Sequence, residues 1–211
     1  MTGTGPTVER IKNAAKSRDA QVLEQCLAGA AHEGIPAMQV RDLLFGELES
    51  VRKRLMSNDT SIPEFLLTLD CVLDGLDRIR SYPGFTPRVD CTVVIGVVEG
   101  DPHDLGKNVI AGIYRACGYR VIDLGRNVPR EAFTKAVRDE GAVLLALSAM
   151  MSTTMVVMRN IIRDARILTP AAKIIVGGAP LSAELARDYG ADTYAESALT
   201  VIEKTEEVLA R

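Results

Sequence analysis

The chain has 211 residues, 47% hydrophobic and 25% charged, the composition of a folded globular protein with room for one larger domain or two small ones. A formal net charge of −3, with Lys and Arg clustered only at 52–54, gives no basic face for nucleic acid. No apolar run approaches the roughly 20 residues of a membrane span, and the opening MTGTGPTVER lacks the regions of a signal peptide, so a cytoplasmic protein with a short disordered arm is expected.

Residues 8–81 read as helices throughout. Val40, Leu43, Leu44, Leu48, Val51 and Leu55 recur at helical spacing, as do Leu66, Leu69, Val72, Leu73, Leu76 and Ile79. HEGIP supplies Gly34 to end one helix and Pro36 to start the next, and SNDTSIPEF repeats the device with Pro63. Four helices follow, at about 8–15, 19–32, 36–57 and 62–81, packed as a small bundle. The stretch 82–89, with Pro83, Gly84 and Pro87, reads as a linker.

From 90 to 211 strand and helix signals alternate. CTVVIGVV is an apolar run suited to a strand buried on both faces, and KNVIAGIYRACG is an amphipathic helix ended by Gly118. YRVIDLG, AVLLALS, AKIIVGG and ADTYA supply four more strands, each followed by a helix. This predicts an α/β domain: a parallel sheet of order 2-1-3-4-5, flavodoxin- or Rossmann-like, with helices on both faces. Ligands in such sheets bind beyond the carboxyl ends of the strands where the winding reverses. That brings together the loops EGDPHDLG, SAMMSTT and GGAPL.

The first loop holds one of only two histidines. Asp101 stands two residues before His103, close enough to hold one ring nitrogen and leave the other for a proton or a metal. Gly106 leaves space at the start of the next helix. The same residues also suit an ordinary loop in which Asp104 caps that helix. Several chemistries lack their parts. Zinc needs about three or four protein ligands, and these loops hold no cysteine and no second histidine. ALSAM is not a nucleophile elbow, and neither a GxGxxG nor a P-loop is present. An imidazole beside a crevice of small residues suits one axial ligand to a metal whose other ligands come from a macrocycle. Ser148, Ser152, Thr153 and Thr154 offer hydroxyls, and Gly177 and Gly178 offer space, though such residues are common in strand-end loops.

Three motifs occur in order: Asp101-Pro-His103-Asp-Leu-Gly106, 41 residues, Ser148-Ala-Met150, 26 residues, then Gly177-Gly178. In this the chain resembles the corrinoid (cobalamin-binding) proteins of methyltransferase systems and the cobalamin-binding module of cobalamin-dependent methionine synthase. HDLGKN, VIDLGRNVP and VGGAP are similar to the methyltransferase-associated members. The resemblance implies that His103 replaces the cofactor's own base as lower ligand of cobalt, with Asp101 and Thr154 forming a protonation relay behind it. Asp104, Gly106, Met150 and Ser152 belong to the implied cofactor-binding set. Ser148, Ser152, Gly177 and Gly178 would line a slot for the displaced nucleotide tail, and residues 8–81 would form a cap over the methyl-bearing face. The implied function is a methyl carrier, not catalytic alone, that serves a substrate:corrinoid methyltransferase and an acceptor methyltransferase using tetrahydrofolate or a thiol. A reductive activating protein is the third implied partner; nucleic acid and membrane are not partners.

Pro102 and Met150 depart from the family's usual aliphatic residues, and Ser61 stands where relatives often carry an aromatic, with Phe65 as a substitute or a core residue. A cobalamin-dependent sensor is the alternative function; a mutase subunit and a flavodoxin-like domain without cobalt are further readings. His32 suits a helix C-terminus, and Met150, Met151, Met155 and Met158 suit packing in the core or over a corrin. Cys26, Cys71, Cys91 and Cys117 are scattered and are expected to be reduced and mostly buried.

Overall fold

A computed structural model describes residues 5–57, 59–82, 85, 88–198 and 200–210. The chain divides into two compact units, Met1–Pro87 and Arg88–Arg211. The first four residues of the expected arm, the side chain of Arg52, and 83, 84, 86 and 87 of the expected linker lie outside the described residues.

The first unit contains α1 (Pro6–Ser17), α2 (Ala20–His32), α3 (Ala37–Met56) and α4 (Ile62–Arg78), with a 3-10 turn at Ile79–Ser81. Each expected helix is present, and α1 starts two residues early because Pro6 fits a first helical turn. Asp19 caps α2 by accepting from the Gln21 and Val22 N–H groups. At α4, Ser61 Oγ accepts from the Glu64 N–H and Glu64 returns the bond to the Ser61 N–H. These bonds satisfy N–H groups that a helix start leaves unpaired. Ile11, Leu23, Val40, Leu44, Leu69, Val72 and Leu76 form the buried interior. Phe65 is half-buried, and His32 is exposed in the last turn of α2.

The second unit runs β1 (Arg88–Val97), α5 (Leu105–Ala116), β2 (Tyr119–Asp123), α6 (Arg130–Asp139), β3 (Leu144–Ser148), α7 (Met155–Leu168), β4 (Lys173–Gly177), α8 (Ala183–Asp188), β5 (Thr193–Tyr194) and α9 (Val201–Leu209). The strands form the expected parallel sheet in the order 2-1-3-4-5. Strand β1 begins three residues before the apolar run at Cys91, and its pairing with β2 is irregular between Arg88 and Thr92. The edge strand β5 is shorter than expected, two residues rather than five, as suits an edge.

One sheet face packs Val94, Leu145, Leu147, Ile174 and Val176 against Phe133 and Val137 of α6 and Met158, Ile161 and Ile162 of α7. Alternation turns Val93, Ile95 and Ile175 to the other face, where α5 and α9 pack. Gly96 sits mid-strand because a Cβ there would lie 2.7 Å from the Phe133 ring. Phe133 is fully buried, and burial of such a side chain contributes about 1.5–3 kcal/mol. Met155 and Met158 belong to this core, whereas Met150 is exposed. Cys26 and Cys71 are buried, but Cys91 and Cys117 are half-exposed, which corrects the expectation for those two; Cys117 lies just beyond the last turn of α5. Among the described residues no helix is long and apolar enough to cross a membrane.

Candidate functional site

Pairing in the sheet fixes the site's frame. Val97, Ser148 and Gly177 are neighbours in register at the carboxyl ends of β1, β3 and β4. The chain then leaves all three strands at one end, so the three motif loops start side by side. Ser148 and Gly177 are only half-buried despite their central position.

Asp101 is the hub of these loops, and it is completely buried. Its Oδ1 accepts from the His103 backbone N–H at 3.0 Å and lies 2.8 Å from His103 Nδ1. Its Oδ2 accepts from the N–H groups of Met150 at 2.6 Å and Met151 at 3.1 Å, and from Thr154 Oγ1 at 3.3 Å. Burial pushes the carboxyl pKa up. The donors from Met150, His103 and Met151 outweigh it and hold the pKa below its ordinary 3.8. Asp101 is therefore an anion and can only accept. An accepting carboxylate at Nδ1 selects the tautomer with the hydrogen on Nδ1, in which the lone pair of the neutral ring is on Nε2. The His103 side chain is 58% exposed.

The other expected residues fall into place unequally. Thr154 reaches Asp101, but its hydroxyl also donates to the Met151 carbonyl at the shorter distance of 2.8 Å. It has one hydrogen to share between the two. Asp104 stands at the N-cap position of α5 with φ −108° and ψ −2°, and makes no cap hydrogen bond. Its backbone is not extended as a capping residue's is; this corrects the N-cap reading, and its carboxylate lies 3.8 Å from Arg126 instead. Gly106 has open space where a Cβ would project. Gly178 adopts φ +133°, and a Cβ there would lie 1.7 Å from the Ala149 carbonyl oxygen, so only glycine fits. Met150 is exposed beside the site, as is Leu105 at the start of α5. Ser152 is exposed on the 3-10 turn Ser152–Thr154.

Sequence reasoning missed Lys107 and Asp123. The Lys107 side chain is 3% exposed, and its Nζ bonds both carboxylate oxygens of Asp123 at 2.7 Å. Asp123 Oδ1 also accepts from the Gly125 N–H at 2.9 Å. This pair, a buried lysine with an aspartate open to solvent, ties the first turn of α5 to the end of β2. Lys107 shares a helical stripe with buried Ala111 and Tyr114, and that placement was the available signal. Asn127 and Arg126, in the same loop, were missed as well. Asn127 Oδ1 accepts from the Gly100 N–H at 2.7 Å, and Arg126 Nη1 donates to the Pro102 carbonyl at 3.4 Å.

An exposed imidazole held by a buried carboxylate, with open space at Gly106 nearby, could hold a metal that brings its other ligands with it. Among the described residues no cluster of three or more His, Cys, Asp or Glu stands ready to hold a bare ion. Comparison with known proteins gives the family. The B12 binding domain matches residues 91–203. The chain is 30% identical to trimethylamine corrinoid protein 1 of Methanosarcina acetivorans, over 99% of this chain and 100% of that one. It is 37% identical to a corrinoid protein of Desulfitobacterium hafniense, over 97% and 98% of the two chains. The crystal structure of the methanol:cobalamin methyltransferase complex MtaBC from Methanosarcina barkeri superposes with a TM-score of 0.70 at 26% identity, covering 99% of this chain and 81% of that chain. The chain belongs to the B12-binding domain family and, within it, to the corrinoid proteins.

Proposed function

We propose that this corrinoid protein is a methyl carrier. It holds cobalamin with the cofactor's own base displaced and His103 in its place, and moves a methyl group between a substrate-specific methyltransferase and an acceptor methyltransferase. When bound, cobalamin supplies a cobalt centre that accepts and releases the methyl group.

The observation that carries this reading is the Asp101–His103 arrangement. Asp101 keeps the hydrogen on Nδ1 and the lone pair on Nε2. Hydrogen bonds from Met150, Met151 and Thr154 hold the carboxylate against rotation. Gly106 leaves room at the start of α5 for a large planar group, and exposed Leu105 and Met150 give it an apolar seat. Half-buried Ser148 and Gly177, at the ends of central strands, give a tail a way in beside the sheet. In the proposal Gly178 keeps that path slender, and Thr154 steadies the carboxylate as His103 binds and leaves.

The likeness to a trimethylamine corrinoid protein and to a methanol:cobalamin methyltransferase complex supports methyltransferase partners. Methylamines and methanol are the first donors to test. The acceptor enzyme would serve tetrahydrofolate or a thiol, and a reductive activating protein would rescue cofactor lost to oxidation. The test loads the protein with cobalamin under reducing conditions and mixes it with a methyltransferase and its labelled donor, either trimethylamine or methanol. Label retained on the gel-filtered protein, and discharged by an acceptor methyltransferase with its acceptor, is the expected result. A cobalamin-loaded protein that takes label from no such pair would overturn the carrier role.

A further inference from the structure

Five hydrogen bonds aim the Asp101 side chain, but they aim His103 only if the Asp101 backbone is itself fixed. Asp101 lies in a loop between the end of β1 and the start of α5, and the preceding Glu99 and Gly100 are exposed. Val98 at the start of this loop is tied to β3 through the Ser148 carbonyl at 3.1 Å, and its own carbonyl accepts from the Asp101 N–H at 3.2 Å; the other bonds to the backbone around Asp101 come from the turn after β2. Asn127 Oδ1 accepts from the Gly100 N–H at 2.7 Å, and the Asn127 N–H donates to the Asp101 carbonyl at 3.2 Å. One residue thus grips the backbone on both sides of Asp101.

Asn127 is in turn anchored to the sheet. Val128 donates to the Val97 carbonyl at 3.1 Å, and Val97 donates to the Gly125 carbonyl at 3.0 Å. Val98 and Val128 form a further parallel bridge. Arg126 adds a hold downstream, through the Pro102 carbonyl and Asp104. Asn127 has φ +52°, a left-handed conformation that few non-glycine residues adopt. Asparagine tolerates it, and glycine would tolerate it better. Backbone conformation alone therefore favours glycine, whereas the bond to Gly100 requires an acceptor at the end of a short side chain.

We infer that Asn127 is a positioning residue for the axial imidazole: its side chain fixes the Asp101 backbone and, through it, the direction of His103. The inference rests on the proposed role of His103 as a cobalt ligand, but its geometry does not. Two variants separate the side-chain role from the conformational one. Asn127→Gly keeps the positive φ and removes the acceptor. Asn127→Asp keeps an acceptor at the same reach.

Two readouts apply to the full chain. In the cofactor-free protein, nitrogen-proton correlation spectra of the His103 ring report whether Nδ1–H stays bonded to Asp101. In titrations with hydroxocobalamin, absorbance gives the dissociation constant. Asn127→Gly is expected to broaden or shift the ring signals and to weaken cobalamin binding about 10-fold, the lower end of the range for groups that orient a metal ligand. Asn127→Asp is expected to match wild type in both. The inference is overturned if Asn127→Gly behaves as wild type, or if folded Asn127→Asp loses the ring signal. Should the glycine variant not fold, loss of the ring signal in folded Asn127→Asp still overturns the inference. Failure of the cobalt reading looks different: His103→Ala would then bind hydroxocobalamin with wild-type affinity and spectrum, while the cofactor-free ring spectra still test Asn127.

Discussion

Among the described residues each unit buries one carboxylate, and the two are treated in opposite ways. Glu47, on α3 of the helical unit, is 9% exposed and has an ion pair to Lys16 at the long distance of 3.9 Å. Burial outweighs the pull of Lys16 and Lys12, and its pKa is raised. Asp101, in the α/β unit, is more deeply buried, yet its pKa is lowered. The difference is the number of donors. Asp101 receives four N–H groups and a shared hydroxyl at short range, whereas Glu47 depends on charges farther off. A buried carboxylate is therefore not in itself a sign of a site. One whose charge is kept by convergent backbone donors and one imidazole is.

That contrast can be broken by substitution. Asp101→Asn should have the larger effect. An amide has one accepting oxygen, so the N–H donors on one side must face its NH2 group. Unsatisfied donors at a buried position cost about 3 kcal/mol in all, read as a lower urea midpoint of the cofactor-free protein at unchanged slope. An unchanged midpoint would mean that the donors do not hold the loop.

Glu47→Gln should change stability by less than about 1 kcal/mol at neutral pH, or raise it, because the charge it removes is already disfavoured by burial. The pH dependence separates the two residues by sign. A raised folded pKa means that Glu47 favours the folded state below its ordinary 4.5 and loses that contribution as pH rises through the raised value. A lowered folded pKa means that Asp101 contributes fully above 3.8 and loses its contribution as pH falls through the depressed value. Stability differences between wild type and each variant, measured from pH 3 to 7 (roughly the span of folded carboxylate pKa values), should therefore run in opposite directions. Parallel curves would contradict the comparison.

Much of the fold was legible in the sequence because periodicity is a strong local signal. The helices of the first unit and the alternation of the second follow from where Leu, Val and Ile recur, and the sheet order followed from the βα pattern. Strand ends were harder. Pairing decides them, as with β5, where Thr193 and Tyr194 alone join the ladder. The site divides in the same way. His103, Asp101, Ser148 and Gly177–Gly178 could be named because the topology gathers strand ends and because the three motifs, at their spacings, resemble those of corrinoid proteins. Lys107, Asp123, Arg126 and Asn127 could not, since their partners lie 16 to 27 residues away across the β1–β2 edge. Nothing local marks a lysine as buried except its place on an apolar stripe. Asp104 shows the reverse error: its type and position suit a cap, but the backbone of the His103 loop carries it out of the capping conformation.

The central claim is that His103 Nε2 takes the axial position on cobalt. The most direct test is the electron paramagnetic resonance spectrum of the protein reconstituted with cobalamin and reduced by one electron, using imidazole labelled with nitrogen-15 through histidine. The account predicts a hyperfine pattern from one axial nitrogen that changes with the label and is lost in His103→Ala. A pattern that ignores the label, or that persists unchanged in His103→Ala, would contradict it.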